Sequence, residues 1–122
     1  MRVLIIDDDI ELCALLREFL EREGYRVTLE VEGLRGLELA TGGNFDLVVL
    51  DLMLPGMDGF AVAAALRREP ALARTRLIAV SGYPPESAPC RRPATFDRHL
   101  VKPVALEELH SVLQAYRRSS TA

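Results

Sequence analysis

Five short apolar runs rich in β-branched residues, interleaved with segments of helical period, leave this chain few architectures to fold into. The runs are VLII (3–6), RVTLEV (26–31), LVVL (47–50), LIAV (77–80) and HLV (99–101). Between them, Leu12, Leu16, Phe19 and Leu20 form one apolar stripe ended by Gly24, and Leu34, Leu37 and Ala40 a second ended by Gly42 and Gly43. Phe60, Ala63, Ala64 and Leu66 follow a cap at Asp58 and stop before Pro70, and Leu106, Leu109, Val112, Leu113 and Tyr116 make the last stripe. The first, third and fourth runs are apolar on successive residues, as in parallel strands covered by helices on both faces. Alternating β and α units of this length predict an α/β fold, a doubly wound five-stranded parallel sheet. The flavodoxin-like strand order 2-1-3-4-5 is taken from that fold class.

With 122 residues the chain is expected to form one domain, residues 1–122, that buries roughly 65% of the surface its unfolded form exposes. An apolar content of 49% and a charged content of 27% argue against disorder and against a disulfide scaffold. The net charge of −3 provides no basic footprint, so direct nucleic-acid binding is not expected. No apolar run approaches a membrane span and the N-terminus lacks a secretory pattern, which predicts a cytoplasmic protein without membrane contact. Cys13 and Cys90 are too few for a disulfide framework and lack metal-ligand spacing, so both read as plain thiols.

One interval breaks the alternation. In GYPPESAPCRRPATFDR, where a fourth helix belongs, stand Pro84, Pro85, Pro89 and Pro93. An interior proline costs a helix about 3 kcal/mol. The expectation is therefore an irregular, shortened or displaced fourth helix.

The polar residues gather at one end of the strands. Asp7, Asp8 and Asp9 follow the first run, Asp51 the third, Ser81 the fourth and Lys102 the fifth. Parallel α/β sheets bind ligands outside the carboxyl ends of their strands, where the strand order reverses. The expected order sets the first and third strands side by side and brings Asp7 and Asp8 against Asp51. Two carboxylates about 6 Å apart repel by roughly 3 kcal/mol at an effective dielectric near 20. Either one carboxyl stays protonated or a cation is held there. A ligand set of oxygens, without His or Cys, favours Mg²⁺, and the expected cargo is a phosphoryl group. Lys102 is the single lysine in a chain whose other long basic residues are all arginine. A compact ammonium is suited to that position, and the Ser81 hydroxyl completes a set fit for phosphoryl chemistry.

Taken in order and spacing, LIIDDD, LVVLDLMLPGMDGF, AVSG and HLVKPV resemble the receiver domain of two-component response regulators over essentially the whole chain. The resemblance implies that Asp51 is the phosphoacceptor and that Asp7 and Asp8 hold Mg²⁺, with Asp8 a direct ligand and Asp7 often acting through water. It further implies that Asp51 itself and the backbone carbonyl of Met53 complete the metal's protein ligands. Ser81 and Lys102 would bind the phosphoryl group, with the Lys102–Pro103 bond cis, and His99 would occupy the switch position usually held by Tyr or Phe. In this picture Ser81 moves toward the phosphoryl group and vacates space that His99 fills. Met53 and Tyr83 would tune the lifetime of the acyl phosphate. The implied partners are a sensor histidine kinase or phosphotransfer protein and a downstream protein target. Such a domain is not an enzyme, although it assists its own phosphorylation and dephosphorylation. A phosphatase of the haloacid dehalogenase type also uses an aspartate after a parallel strand, but it wants a second aspartate two residues on, where this chain has Met53. A degenerate receiver that only binds proteins is disfavoured because every acidic, hydroxyl and lysine position is filled.

Asp9 and Asp58 read as helix-start residues rather than ligands. Pro55, Gly56 and Gly59 shape the loop after Asp51. His110, at the rim of the last apolar stripe, reads as a surface residue.

Overall fold

The computed structural model describes residues 1–56, 58–82 and 96–120, the side chains of 119 and 120 excepted. Tyr83, Cys90 and the greater part of the expected irregular helix therefore lie outside the described residues. Five parallel strands, β1 (Arg2–Ile6), β2 (Arg26–Glu30), β3 (Leu47–Asp51), β4 (Arg76–Ser81) and β5 (Arg98–Val101), form one sheet in the order β2-β1-β3-β4-β5. This is the order taken from the fold class. The register pairs Ile6 with Leu50, Asp51 with Val80, and Ser81 with Val101, so the carboxyl ends of the inner strands finish level with one another.

Helices α1 (Ile10–Arg22), α2 (Gly33–Gly42), α3 (Gly59–Arg68) and α4 (Leu106–Ser120) pack on the two faces, with a 3-10 turn at Pro70–Leu72. Successive strand residues point to opposite faces. Val3 and Ile5 of β1 join Ile78 and Val80 of β4 under α1 and α4, where Cys13, Leu16, Leu20, Leu109 and Leu113 are buried. Leu4 and Ile6 join Leu77 and Ala79 on the other face, beneath Ala40 of α2 and Val62, Ala63 and Leu66 of α3. The unbroken apolar runs thus feed two cores at once. A fully buried Leu or Ile contributes about 1.5–3 kcal/mol, and Leu4, Ile5, Ile6 and Leu50 are all completely buried around the site-bearing strands.

The helix starts have local causes. The Asp9 carboxylate accepts from the Leu12 N–H at 3.1 Å, and that of Asp58 from the Phe60 N–H at 3.0 Å, each satisfying an otherwise orphaned donor. Gly56 adopts φ +70°, the left-handed region that favours glycine, in the loop after Asp51. Gly59 serves differently: it is the first residue of α3, and a Cβ there would lie 2.4 Å from the Leu52 Cα. The helix is thereby seated directly on the backbone that follows Asp51.

One finding departs from the sequence reading. His110 is not a free surface residue, because its ring stands edge-on to Phe19 at 5.3 Å and to Tyr25 at 6.1 Å. Its Nε2 lies 3.8 Å from the Glu23 carboxylate, so it is wedged between α4 and the end of α1. An i, i+3 apolar stripe marks which face of a helix is covered, but not how far a neighbouring turn reaches over its rim. Asp97, near the end of the proline-rich interval, anchors the start of β5. Its carboxylate accepts from the Leu77 N–H at 2.7 Å and from the Arg67 guanidinium, while its own N–H donates to Leu77 O.

Candidate functional site

Four strand ends deliver the polar side chains to a common place. Asp7 and Asp51 are almost fully enclosed, at 5% and 2% exposure, whereas Asp8 is exposed. One carboxylate oxygen from each of the three lies within 4.8 Å of the others. Lys102 reaches in from the end of β5, its Nζ 2.9 Å from Asp51 Oδ2 and 3.4 Å from Asp7 Oδ2. The Lys102 N–H donates to Ser81 O at 2.8 Å, which ties its backbone to β4, and the Lys102–Pro103 peptide is cis.

The two buried acids are held by backbone as well. Asp51 Oδ1 accepts from the Met53 N–H at 2.8 Å, so both of its oxygens are hydrogen-bonded. Asp7 Oδ1 accepts from the Asp9 N–H at 2.9 Å, and the Asp7 N–H donates to Glu30 O at 3.0 Å. The Cys13 thiol donates to the Asp7 carbonyl at 3.6 Å. Burial, followed by the charges of Asp7 and Asp9, pushes that thiol up to about 11, so it serves as a protonated donor rather than a nucleophile.

The electrostatics are those of a site short of positive charge. Burial raises the Asp7 carboxyl above its ordinary range; the Asp9 amide opposes this, and the Asp51 charge adds to it. For Lys102 burial acts downward, but the hydrogen bond to Asp51 and the charges of Asp7 and Asp51 outweigh it and the net shift is upward. The ammonium therefore stays charged. At separations near 5 Å the two buried carboxylates repel by about 3 kcal/mol at an effective dielectric of about 20. One ammonium faces three carboxylates, which leaves an excess of negative charge that a hard divalent cation would balance. The all-oxygen donor set fits Mg²⁺.

Ser81 is fully buried at the end of β4, and its Oγ shares a hydrogen bond of 2.9 Å with His99 Nε2. Burial holds the His99 imidazole below its usual value, so the ring is neutral near pH 7. Met53, whose N–H binds Asp51, is 48% exposed. Asp7, Asp8, Asp51 and Lys102 thus converge, Ser81 and His99 form an adjoining pair, and Tyr83 falls outside the described residues. The sequence reading missed the Met53 and Asp9 amides that pin the acids and the Cys13 thiol behind Asp7. The first two follow from strand-to-turn geometry and carry no side-chain signal. Cys13 could have been noticed from its place one turn into α1, facing the end of β1.

A doubly wound sheet with an enclosed aspartate, an acidic pair and a lysine at its carboxyl edge defines the phosphoacceptor class of signalling domains. Residues 3–114 match the family model of the response regulator receiver domain, and the chain belongs to that family. It is a receiver domain of two-component signal transduction. Among relatives, the transcriptional regulatory protein TcrA of Mycobacterium tuberculosis is 35% identical over 118 residues, covering 97% of this chain and 46% of TcrA. The chain thus spans less than half of that relative's length. Among solved structures, the chemotaxis response regulator CheY4 of Vibrio cholerae superimposes with a TM-score of 0.85 at 28% identity, over 94% of this chain and 97% of CheY4. The response regulator TrrA of Thermotoga maritima, in complex with Mg²⁺ and BeF, gives a TM-score of 0.79 at 29% identity over 94% and 97% of the two chains. Among the described residues no helix is long and apolar enough to cross a membrane.

Proposed function

We propose that residues 1–122 act as one receiver unit in which Asp51 accepts a phosphoryl group from the phosphohistidine of a sensor histidine kinase or phosphotransfer protein. The observation that carries this reading is the enclosed Asp51 carboxylate, oriented by the Met53 N–H and paired with Lys102 Nζ at 2.9 Å. Both contacts hold the carboxylate still, so little reorganisation is needed when it attacks. In the transfer a P–O bond to Asp51 forms as the P–N bond breaks, and the bonding pair returns to the donor imidazole. Lys102, charged and already within reach, then pairs with an oxygen of the transferred group, while the Ser81 hydroxyl donates to another.

Asp7, Asp8, Asp51 and the Met53 carbonyl would hold Mg²⁺, which when bound supplies charge neutralisation for the transferring oxygens. Met53 and Tyr83 would govern how readily water reaches the acyl phosphate. The added charge favours the conformation in which Ser81 and Lys102 contact the phosphoryl group, and a downstream protein reads that conformation. The role is that of a signalling switch rather than a turnover enzyme.

The chemistry of the product tests the proposal. With Mg²⁺ and phosphoramidate, the protein should acquire a phosphoryl group that hydroxylamine removes, as it does from an acyl phosphate. A hydroxylamine-resistant adduct, or none at all, contradicts it.

A further inference from the structure

Ser81 and His99 meet because of strand register. His99 pairs with Ala79 across β4 and β5, and Ser81 lies two residues on, on the same face of the sheet. The 2.9 Å contact between Ser81 Oγ and His99 Nε2 is therefore built into the ladder. The ring is also braced edge-on by Phe96 at 6.2 Å, which in turn packs on Phe60 at 6.0 Å. The imidazole already touches the hydroxyl, whereas the family resemblance suggests a ring that moves in only after the hydroxyl has left.

A serine hydroxyl has one proton to donate, and a neutral imidazole has one N–H on one of its two nitrogens. If His99 Nε2 is bare, Ser81 must give its proton to the ring. If Nε2 carries the hydrogen, Ser81 accepts from the ring and keeps its own proton for another acceptor. A phosphoryl group on Asp51 offers acceptor oxygens. Only the second arrangement allows an unbroken chain from ring to hydroxyl to phosphoryl oxygen.

We propose that His99 is a positioning residue that acts through Ser81, its Nε2–H orienting the Ser81 hydroxyl so that the hydroxyl donates to the phosphoryl group on Asp51. The switch is then a hydrogen-bond relay that an aromatic hydrocarbon ring at the same position could not supply. This inference rests on the phosphoacceptor reading of Asp51.

The test uses Mg²⁺ with beryllofluoride as the phosphoryl mimic, titrated into the wild type and into His99→Gln, His99→Asn and His99→Phe. A glutamine amide nitrogen reaches the place of Nε2, whereas an asparagine reaches only that of Nδ1. Loss of one hydrogen bond corresponds to about fivefold weaker binding, expected for Phe and Asn but not for Gln. In a Ser81→Ala background His99→Phe should have no further effect. Nitrogen-15 spectra of the wild type provide a readout without substitution, with His99 Nε2 becoming protonated when beryllofluoride binds. A glutamine variant as weak as phenylalanine, a phenylalanine effect undiminished in Ser81→Ala, or a bare Nε2 in the bound state overturns the relay. Failure of the wild type to bind beryllofluoride overturns the phosphoacceptor reading as well, so the two failures are distinguishable.

Discussion

Asp7 is buried beside two other acids, and that position has a pH signature. Its carboxyl is held above the ordinary 3.8, first by burial, so the folded protein keeps that proton more tightly than the unfolded chain does. The contribution to stability is complete below 3.8 and is lost as pH rises through the folded value. At neutrality the ionised Asp7 is a cost. In metal-free buffer Asp7→Asn should raise stability at pH 7 by about 1 kcal/mol, or a few degrees in Tm, because the amide oxygen can still accept from the Asp9 N–H. The gain should shrink as the pH is lowered; thermal melts that show no gain, or one larger in acid, contradict this account of the site. Lys102 has the opposite sense at neutrality. Its raised value means that its stabilising contribution is present there and is lost only as pH climbs through the folded value, above 10.5.

The first residue of α3 meets the backbone just after β3 with no side chain between them, and this makes Gly59 a sharper test than Gly36. At Gly36 a Cβ would meet the buried Ile6 side chain, Cδ1 at 2.5 Å and Cγ1 at 2.7 Å, which would have to repack; at Gly59 it would meet the Leu52 backbone at 2.4 Å, which cannot be repacked. Gly59→Ala should therefore destabilise by about 1–3 kcal/mol and weaken beryllofluoride binding, since Leu52 separates Asp51 from Met53. Gly36→Ala should cost less and leave binding intact; denaturant melts and the same titration decide between them. The contrast also marks what was legible in the sequence. The strands and the helix starts at Asp9 and Asp58 follow from periodicity and capping chemistry, which act over a few residues, whereas the strand order is borrowed from the fold class. The convergence of Asp7, Asp8, Asp51 and Lys102 followed once the strand order was assumed, because all four come directly after strands. Gly59 read as a loop former because its seat on Leu52 depends on how closely α3 approaches the sheet. The bond from Ser81 to His99 and the wedge of His110 against Phe19 and Tyr25 join residues far apart in sequence, and no local pattern records them.

The whole molecule couples its acidic edge to its stability. One face is closed by α4, whose Arg117 donates to Glu23 O at 3.0 Å and lies 4.8 Å over the Tyr25 ring, fixing the last helix to the turn between α1 and β2. With the fold secured in this way, the three carboxylates are held close together, and a bound cation should stabilise the native state by mass action. At a Mg²⁺ concentration of 100 times Kd the gain is about 2.7 kcal/mol. Asp8 is exposed, so Asp8→Ala should leave the metal-free Tm nearly unchanged and abolish most of the rise that Mg²⁺ produces. An equal rise in the variant would remove Asp8 from the metal site.

The central claim is that Asp51 carries the phosphoryl group, and intact mass measures it most directly. Wild-type protein and Asp51→Asn are incubated with Mg²⁺ and a small phosphodonor and weighed side by side. The wild type is expected to gain the mass of one phosphoryl group and the variant none. No gain in the wild type, or the same gain in both, would contradict the claim.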